Sequence, residues 1–155
     1  MHLNNPTLYV LIGISGSGKS TYAEKLQLSR NIAVVSTDSI REEMLGSEAN
    51  QSDGAEIFRC AYSRINRHLS LGQDIVFDAT NTTTYGRNQL LDSIKEPCKK
   101  VAVLVMTPLD VALARNLERS RTVPESVIHR QHMQLMKDGE SILNQFDDIC
   151  FVKGE

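Results

Sequence analysis

No stretch of this 155-residue sequence is apolar for long enough to span a membrane. Residues Met1 to Pro6 lack the charged and apolar regions of a signal peptide. Cysteine is scarce: Cys60, Cys98 and Cys150 are odd in number and far apart, so neither a disulfide framework nor a zinc site is indicated. A reducing cytoplasm is the simplest compartment. An excess of positive charge is lacking too, with 17 Lys+Arg against 19 Asp+Glu and a net charge of −2. Contact with nucleic acid must then be a local groove rather than a basic face. Repeats, low-complexity tracts and linkers are absent, and the length suits one domain, residues 1–155, with a sheet covered by helices.

What is present is concentrated between Gly13 and Thr21. Gly-Ile-Ser-Gly-Ser-Gly-Lys-Ser-Thr matches G-x-x-x-x-G-K-[ST] through Gly13, Gly18, Lys19 and Ser20. An apolar run, Leu8 to Ile12, precedes it as a buried strand, and a helical stretch from Thr21 to Leu28 follows. Glycines at 13, 16 and 18 let the backbone curl so that successive N–H groups face phosphate oxygens. Ser15, Ser17 and Thr21 complete the nucleotide-binding loop. The helix dipole adds to that concavity. Lys19 then reaches the β- and γ-phosphates of ATP, and Ser20 binds Mg²⁺.

The remainder alternates strand and helix, the pattern of a parallel α/β sheet. Further strands are expected at Ile32–Val35, Asp74–Phe77, Lys100–Met106 and Ile149–Val152. Helices are expected at Ser39–Leu45, capped by Gly46, then at Ala55–Leu71, Thr84–Ile94, after Pro108, and from Pro124 to Met136. Residues 46–54 read as a polar loop. Ligands of such sheets sit beyond the carboxyl ends of the strands, so polar residues there are the candidates.

Asp38 follows the second strand and Arg41 lies three residues on, one helical turn away on the same face. A carboxylate there can take a proton from an attacking hydroxyl, and arginine offers a fork to an acceptor's phosphate or carboxylate. Equally, Asp38 caps a helix and Arg41 is a solvated charge. Asp78 ends the third strand in the manner of a carboxylate holding Mg²⁺ or its water. Thr80, Asn81 and Arg87 follow and are candidates for the acceptor site, although Thr80 or Thr82 would also serve as the next helix cap. Arg115 and Arg119, four apart with Arg121 beyond, read as a lid over the triphosphate or as a solvated run with Glu118 and Glu125 as partners. His129 and His132 share a helical face with no third ligand type nearby in sequence.

Taken in order, the phosphate loop, Thr37-Asp38-Ser-Ile-Arg41, Phe77-Asp78-Ala79-Thr80-Asn81, Arg115-Asn116-Leu-Glu-Arg119, and then Val123-Pro124 and Val127-Ile128 resemble the kinase domain of RNA-repair polynucleotide kinases. The resemblance runs from about Tyr9 to Met136. It implies a parallel sheet ordered 2-3-1-4-5 and transfer of the ATP γ-phosphate to a 5′-hydroxyl end of RNA or DNA. It also implies Asp38 as general base, Arg41 on the phosphate 3′ to the accepting nucleoside, and Arg115 and Arg119 as lid arginines. Asp78 matches the family's acid after the third strand. Two departures stand out. The Asp-x-Asp-x-Thr signature of an appended 3′-phosphatase does not occur, and the acidic balance leaves only Arg59, Arg64, Arg67 and Arg87 for a basic rim. A kinase for a nucleoside, sugar or antibiotic hydroxyl is the alternative, and a nucleotide-gated binding module is a third reading.

Overall fold

A computed structural model describes residues 5–45, 54–119 and 122–154. Five strands form one parallel sheet in the order β2-β3-β1-β4-β5. They are β1 (Thr7–Ile12), β2 (Ala33–Ser36), β3 (Ile75–Asp78), β4 (Lys99–Met106) and β5 (Asp148–Lys153). Around them lie α1 (Lys19–Arg30), α2 (Thr37–Leu45), α3 (Gly54–Ser70), α4 (Thr84–Ser93), α5 (Leu109–Leu117), α6 (Glu125–Asp138) and α7 (Ile142–Gln145). The chain reverses sheet direction after β2, which pairs with β3 rather than with β1. The cleft this creates lies at the carboxyl ends of β1 and β3.

Side-chain alternation explains why both faces are covered. Leu8, Val10 and Ile12 of β1 join the core built with Ile40, Ile57, Ile65 and Leu90 on one face. Leu11 points the other way and packs with Ala23 of α1, Ile32 and Val103. A third small cluster, Ile14, Ala112 and Ile128, fastens the turn after β1 to α5 and α6. On the long helix expected at Ala55–Leu71, Ile57, Ala61, Ile65 and Leu69 fall on one face and are buried, and Gly72 follows in a left-handed turn.

Three local expectations need correction. The first helix begins at Lys19 rather than Thr21, so the lysine of the loop is already in the first helical turn. The cap of α4 is Thr83, whose Oγ1 accepts from Gly86 N at 3.0 Å, and not Thr80 or Thr82. Thr82 instead donates to Gln134 Oε1 at 2.7 Å. A 3₁₀ turn at Gly139–Ser141 and the single-turn α7 precede β5, in a region without a predicted element. Gly46, the expected polar loop as far as residue 53, and Arg121 lie outside the described residues, while Gly54 already opens α3. No helix among the described residues is long and apolar enough to cross a membrane.

Candidate active site

The phosphate loop joins β1 to α1 and is held in place from three sides. Gly16 adopts φ 83° and Gly18 φ 102°, both in the left-handed region where a side chain is strained. At Gly16 a Cβ would also strike the Ala112 carbonyl of α5. The Ser17 carbonyl accepts from Thr107 Oγ1 at 2.6 Å and from Arg115 Nη1 at 3.3 Å. Gly154, just past β5, packs so closely on the Ser17 carbonyl that no side chain fits there. The loop is therefore shaped before any ligand arrives.

Lys19 is 8% exposed and donates to the Ile14 carbonyl at 2.8 Å. Burial lowers its pKa from 10.5 to about 8, while Asp78 and Asp38 pull it back up. Ser20 Oγ donates to Asp78 Oδ2 at 2.8 Å. Asp78 is 7% exposed, and burial pushes its carboxyl above the usual range, opposed by the Lys19 ammonium and the Ser20 hydrogen bond. Together these groups put one cation, one hydroxyl and one carboxylate at the floor of a cleft of about 990 Å³.

The opposite wall comes from α2 and from the segment after α5. Arg41 Nη1 lies 3.1 Å from Asp38 Oδ1, and Arg119 Nη2 lies 3.8 Å from Asp38 Oδ2. Asp38 starts the first turn of α2 with its side chain 56% exposed, whereas Arg41 is mostly covered. Arg41 Nε is buried with no hydrogen-bond partner among the described residues. Asn116 clamps Val123 through both backbone groups, Nδ2 to the carbonyl at 2.7 Å and the Val123 N–H to Oδ1 at 2.9 Å. That clamp ties the end of α5, next to Arg119, to Val123.

The cleft gathers Ser15, Gly16, Gly18, Lys19, Ser20 and Thr21 from the loop, and Asp38, Arg41, Asp78, Thr80, Arg115 and Arg119 from elsewhere. Gly13 and Ser17 sit beneath it. A Cβ on Gly13 would meet Ser17 Oγ at 2.8 Å. Arg115 lies against the loop, since its second nitrogen, Nη2, donates to the Gly154 carbonyl at 3.2 Å. Arg115 and Arg119 thus face different partners, because α5 ends at Leu117 and the helical spacing no longer applies.

Two expected acceptor residues lie elsewhere. Asn81 adopts φ 50° and spends Nδ2 on the Leu11 and Ala79 carbonyls at 2.8 and 3.3 Å. Arg87, expected at the rim, is 0% exposed. Its guanidinium donates to Gln145 Oε1, the Asn81 and Asp138 carbonyls and Ser141 Oγ, at 2.6–3.1 Å. The α7 segment, which carried no sequence signal, covers it. The predicted basic rim shrinks further because Arg59 pairs with Glu56 and Arg64 with Glu43.

Sequence reasoning missed four residues of the cleft: Phe58 of α3, Thr122, and Arg130 and Gln131 of α6. The signal for the α6 residues lay in Gln131, Gln134 and Asp138, which share a face and accept from Ser15, Thr82 and Thr84. His129 reaches Glu125 at 3.6 Å, and no group of three metal-type ligands occurs among the described residues.

Sheet order, phosphate loop and strand-end carboxylate define a P-loop fold whose cleft is of the nucleotide-binding kind. Residues 8–137 match the family described as AAA domain, and the chain belongs to it. A curated relative, L-seryl-tRNA(Sec) kinase of Methanococcus maripaludis, is 27% identical over 150 residues, covering 92% of this chain and 57% of its own. The Pnkp1/Rnl/Hen1 RNA repair complex contains a chain of similar fold, with TM-score 0.80 and 22% identity. That match covers 90% of this chain and 47% of the other. A gluconokinase from Sinorhizobium meliloti superposes with TM-score 0.60 and 19% identity, over 98% of this chain and 85% of its own. The chain thus spans little more than half the length of the curated relative and about half that of the RNA-repair chain.

Proposed function

We propose that this domain transfers the γ-phosphate of ATP to a 5′-hydroxyl end of RNA or DNA. One observation carries the proposal: Asp38 and Arg41 stand as a pair 3.1 Å apart in the same cleft as Lys19, Ser20 and Asp78. A triphosphate on the loop presents its terminal phosphoryl group toward that pair. The acceptor hydroxyl loses its proton to the Asp38 carboxylate as its oxygen bonds phosphorus. The bond from phosphorus to the β–γ bridging oxygen breaks, and ADP leaves with the electron pair. Arg119 balances charge on the phosphoryl group, and Arg41 holds the phosphate 3′ to the accepting nucleoside. Thr80 lines the acceptor side, and Arg115 holds the loop in register from below.

Ser20 Oγ and Asp78 Oδ2 are two hard oxygens 2.8 Å apart, a donor set that fits Mg²⁺. When bound there, the ion neutralises charge on the β- and γ-phosphates. Ser20 and Asp78 would hold it.

The neutralised rim favours one competing reading, a kinase for a small hydroxyl compound. Arg59 and Arg64 are paired and Arg87 is buried, so three of the four arginines expected at the rim offer a long nucleic acid little charge. A matrix of parent, Asp38→Asn and Arg41→Ala separates the two. The acceptors are 5′-hydroxyl RNA and DNA, a nucleoside 3′-monophosphate, a plain nucleoside, a seryl-charged tRNA and common sugars. Asp38→Asn should lower transfer by about 10² to 10⁴ with ATP binding retained. Arg41→Ala should hurt acceptors with a 3′-phosphate far more than the plain nucleoside. Equal losses, or a parent that prefers a sugar, would assign the domain to small molecules.

A further inference from the structure

Gln131 makes a contact that the fold does not need. Its Oε1 accepts from the Ser15 backbone N–H at 2.8 Å. Two neighbours on the same face of α6 already fasten that helix, Gln134 through Thr82 and Asp138 through the Thr84 N–H. Ile128 adds an apolar anchor beside Ile14. The helix is therefore placed independently of Gln131, and what Gln131 touches is the phosphate loop itself.

The chemistry of the side chain decides which way it faces. A carboxamide has one acceptor oxygen and one donor NH₂, and a backbone N–H can only donate. Oε1 must then lie on Ser15, and Nε2 lies on the other side of the same carbon. Nε2 has no hydrogen bond among the described residues, and Gln131 lines the cleft. The carbonyl of Ile14 and the N–H of Ser15 belong to one peptide unit. Lys19 holds its oxygen at 2.8 Å and Gln131 its nitrogen at 2.8 Å. Two cleft-lining donors, the ammonium and the carboxamide NH₂, thus bracket the entrance turn of the loop.

We propose that Gln131 is a ligand of the terminal phosphate of the bound triphosphate, donating from Nε2 while Oε1 stays on Ser15. Its consequence is selectivity: a diphosphate has no terminal oxygen at that position and gains nothing from the contact. Gln131 therefore raises affinity for ATP over ADP and orients the phosphoryl group toward Asp38. The inference rests on the loop being the donor site and is independent of which acceptor is used.

Binding of ATP and of ADP, each with Mg²⁺, is measured by calorimetry on parent, Gln131→Glu and Gln131→Met without any acceptor. Gln131→Glu keeps shape and the Ser15 acceptor but loses the donor, and Gln131→Met loses both without adding charge. Both variants should lower the ratio of ATP to ADP affinity by about tenfold or more, with ADP binding within twofold of the parent. The melting temperature of Gln131→Glu should match the parent. An unchanged ratio in both variants would overturn the proposal. A fall in Gln131→Glu alone would also overturn it, because charge repulsion then explains the result. Equal weakening of ATP and ADP, with lowered melting in Gln131→Met only, would reduce Gln131 to a helix latch. Because no acceptor is present, failure here says nothing of the 5′-hydroxyl reading, and failure of that reading leaves this result intact.

Discussion

The two walls of the cleft hold their charges by opposite means. On the donor wall Lys19 and Asp78 are buried, and each shares hydrogen bonds with fixed neighbours, the Ile14 carbonyl and the Ser20 hydroxyl. Geometry is set before a nucleotide arrives, and the cost appears as displaced ionisation: Lys19 down to about 8 and Asp78 upward. On the acceptor wall Asp38 is more than half exposed and its contacts include ion pairs to Arg41 and Arg119 at 3.1 and 3.8 Å. Water supports the Asp38 charge, so the wall can exchange partners when a substrate enters. Preorganisation belongs to the donor side and adaptability to the acceptor side.

The sharpest way to break this contrast is Lys19→Met. Turnover should fall below detection, because phosphate charge loses its cation. The same change should stabilise the ligand-free protein at neutral pH, by about 2 kcal/mol, because a buried ammonium is removed. The sign follows from linkage. The folded pKa of about 8 lies below the unfolded 10.5, so the unfolded chain holds more protons between those values and parent stability rises with pH across that window. The gain from methionine is therefore full below pH 8 and shrinks toward pH 10.5. Denaturant midpoints of both proteins at pH 7 and pH 10 measure it. A variant that is less stable at pH 7 would mean the donor wall carries no ionisation cost.

Next in size is Arg87→Leu, which tests whether a buried arginine belongs to either wall. Its removal leaves the Asn81 carbonyl and Gln145 Oε1 without their donor and takes one of several donors from the Asp138 carbonyl, which keeps Ser141 Oγ at 2.9 Å. Stability should drop by about 3 kcal/mol or more, with the relative use of different acceptors unchanged at temperatures where the variant is folded. Normal melting with altered acceptor preference would return Arg87 to the rim. The smallest effect is expected at Arg64→Ala, where an exposed arginine is paired with Glu43. Melting temperature should stay within error and acceptor affinity within twofold. A several-fold loss for RNA alone would extend the acceptor wall outward along α3.

Signals that were local in the chain were legible. The spacing from Gly13 to Ser20 specifies a turn, a lysine and a hydroxyl within a few residues, and the structure joins β1 to α1 through them. Asp38 and Arg41, one turn apart, meet because helix geometry alone brings them together. Asp78 falls at the end of β3 because a short apolar run closed by an acid ends where the sheet ends. The sheet order 2-3-1-4-5 came from the resemblance, and the strand pairings confirm it.

Signals that depended on distant chain were silent. Arg87 reads as an acceptor-site or rim arginine until residues 138–145 fold over it. Arg115 and Arg119 read as a matched pair until α5 stops at Leu117 and Asn116 clamps Val123. Gln131 reads as an ordinary helical polar residue until α6 lies across the loop, 116 residues away in sequence.

By itself, then, the sequence determined the alternation of strand and helix, the phosphate loop and the carboxylates at strand ends, because each rests on spacing within one or two turns of chain. Only the tertiary structure decided which arginines face the cleft, which serve the frame, and that α6 reaches the loop. Those outcomes depend on what else packs against a side chain, and a guanidinium or carboxamide satisfies backbone carbonyls or N–H groups as readily as it binds phosphate.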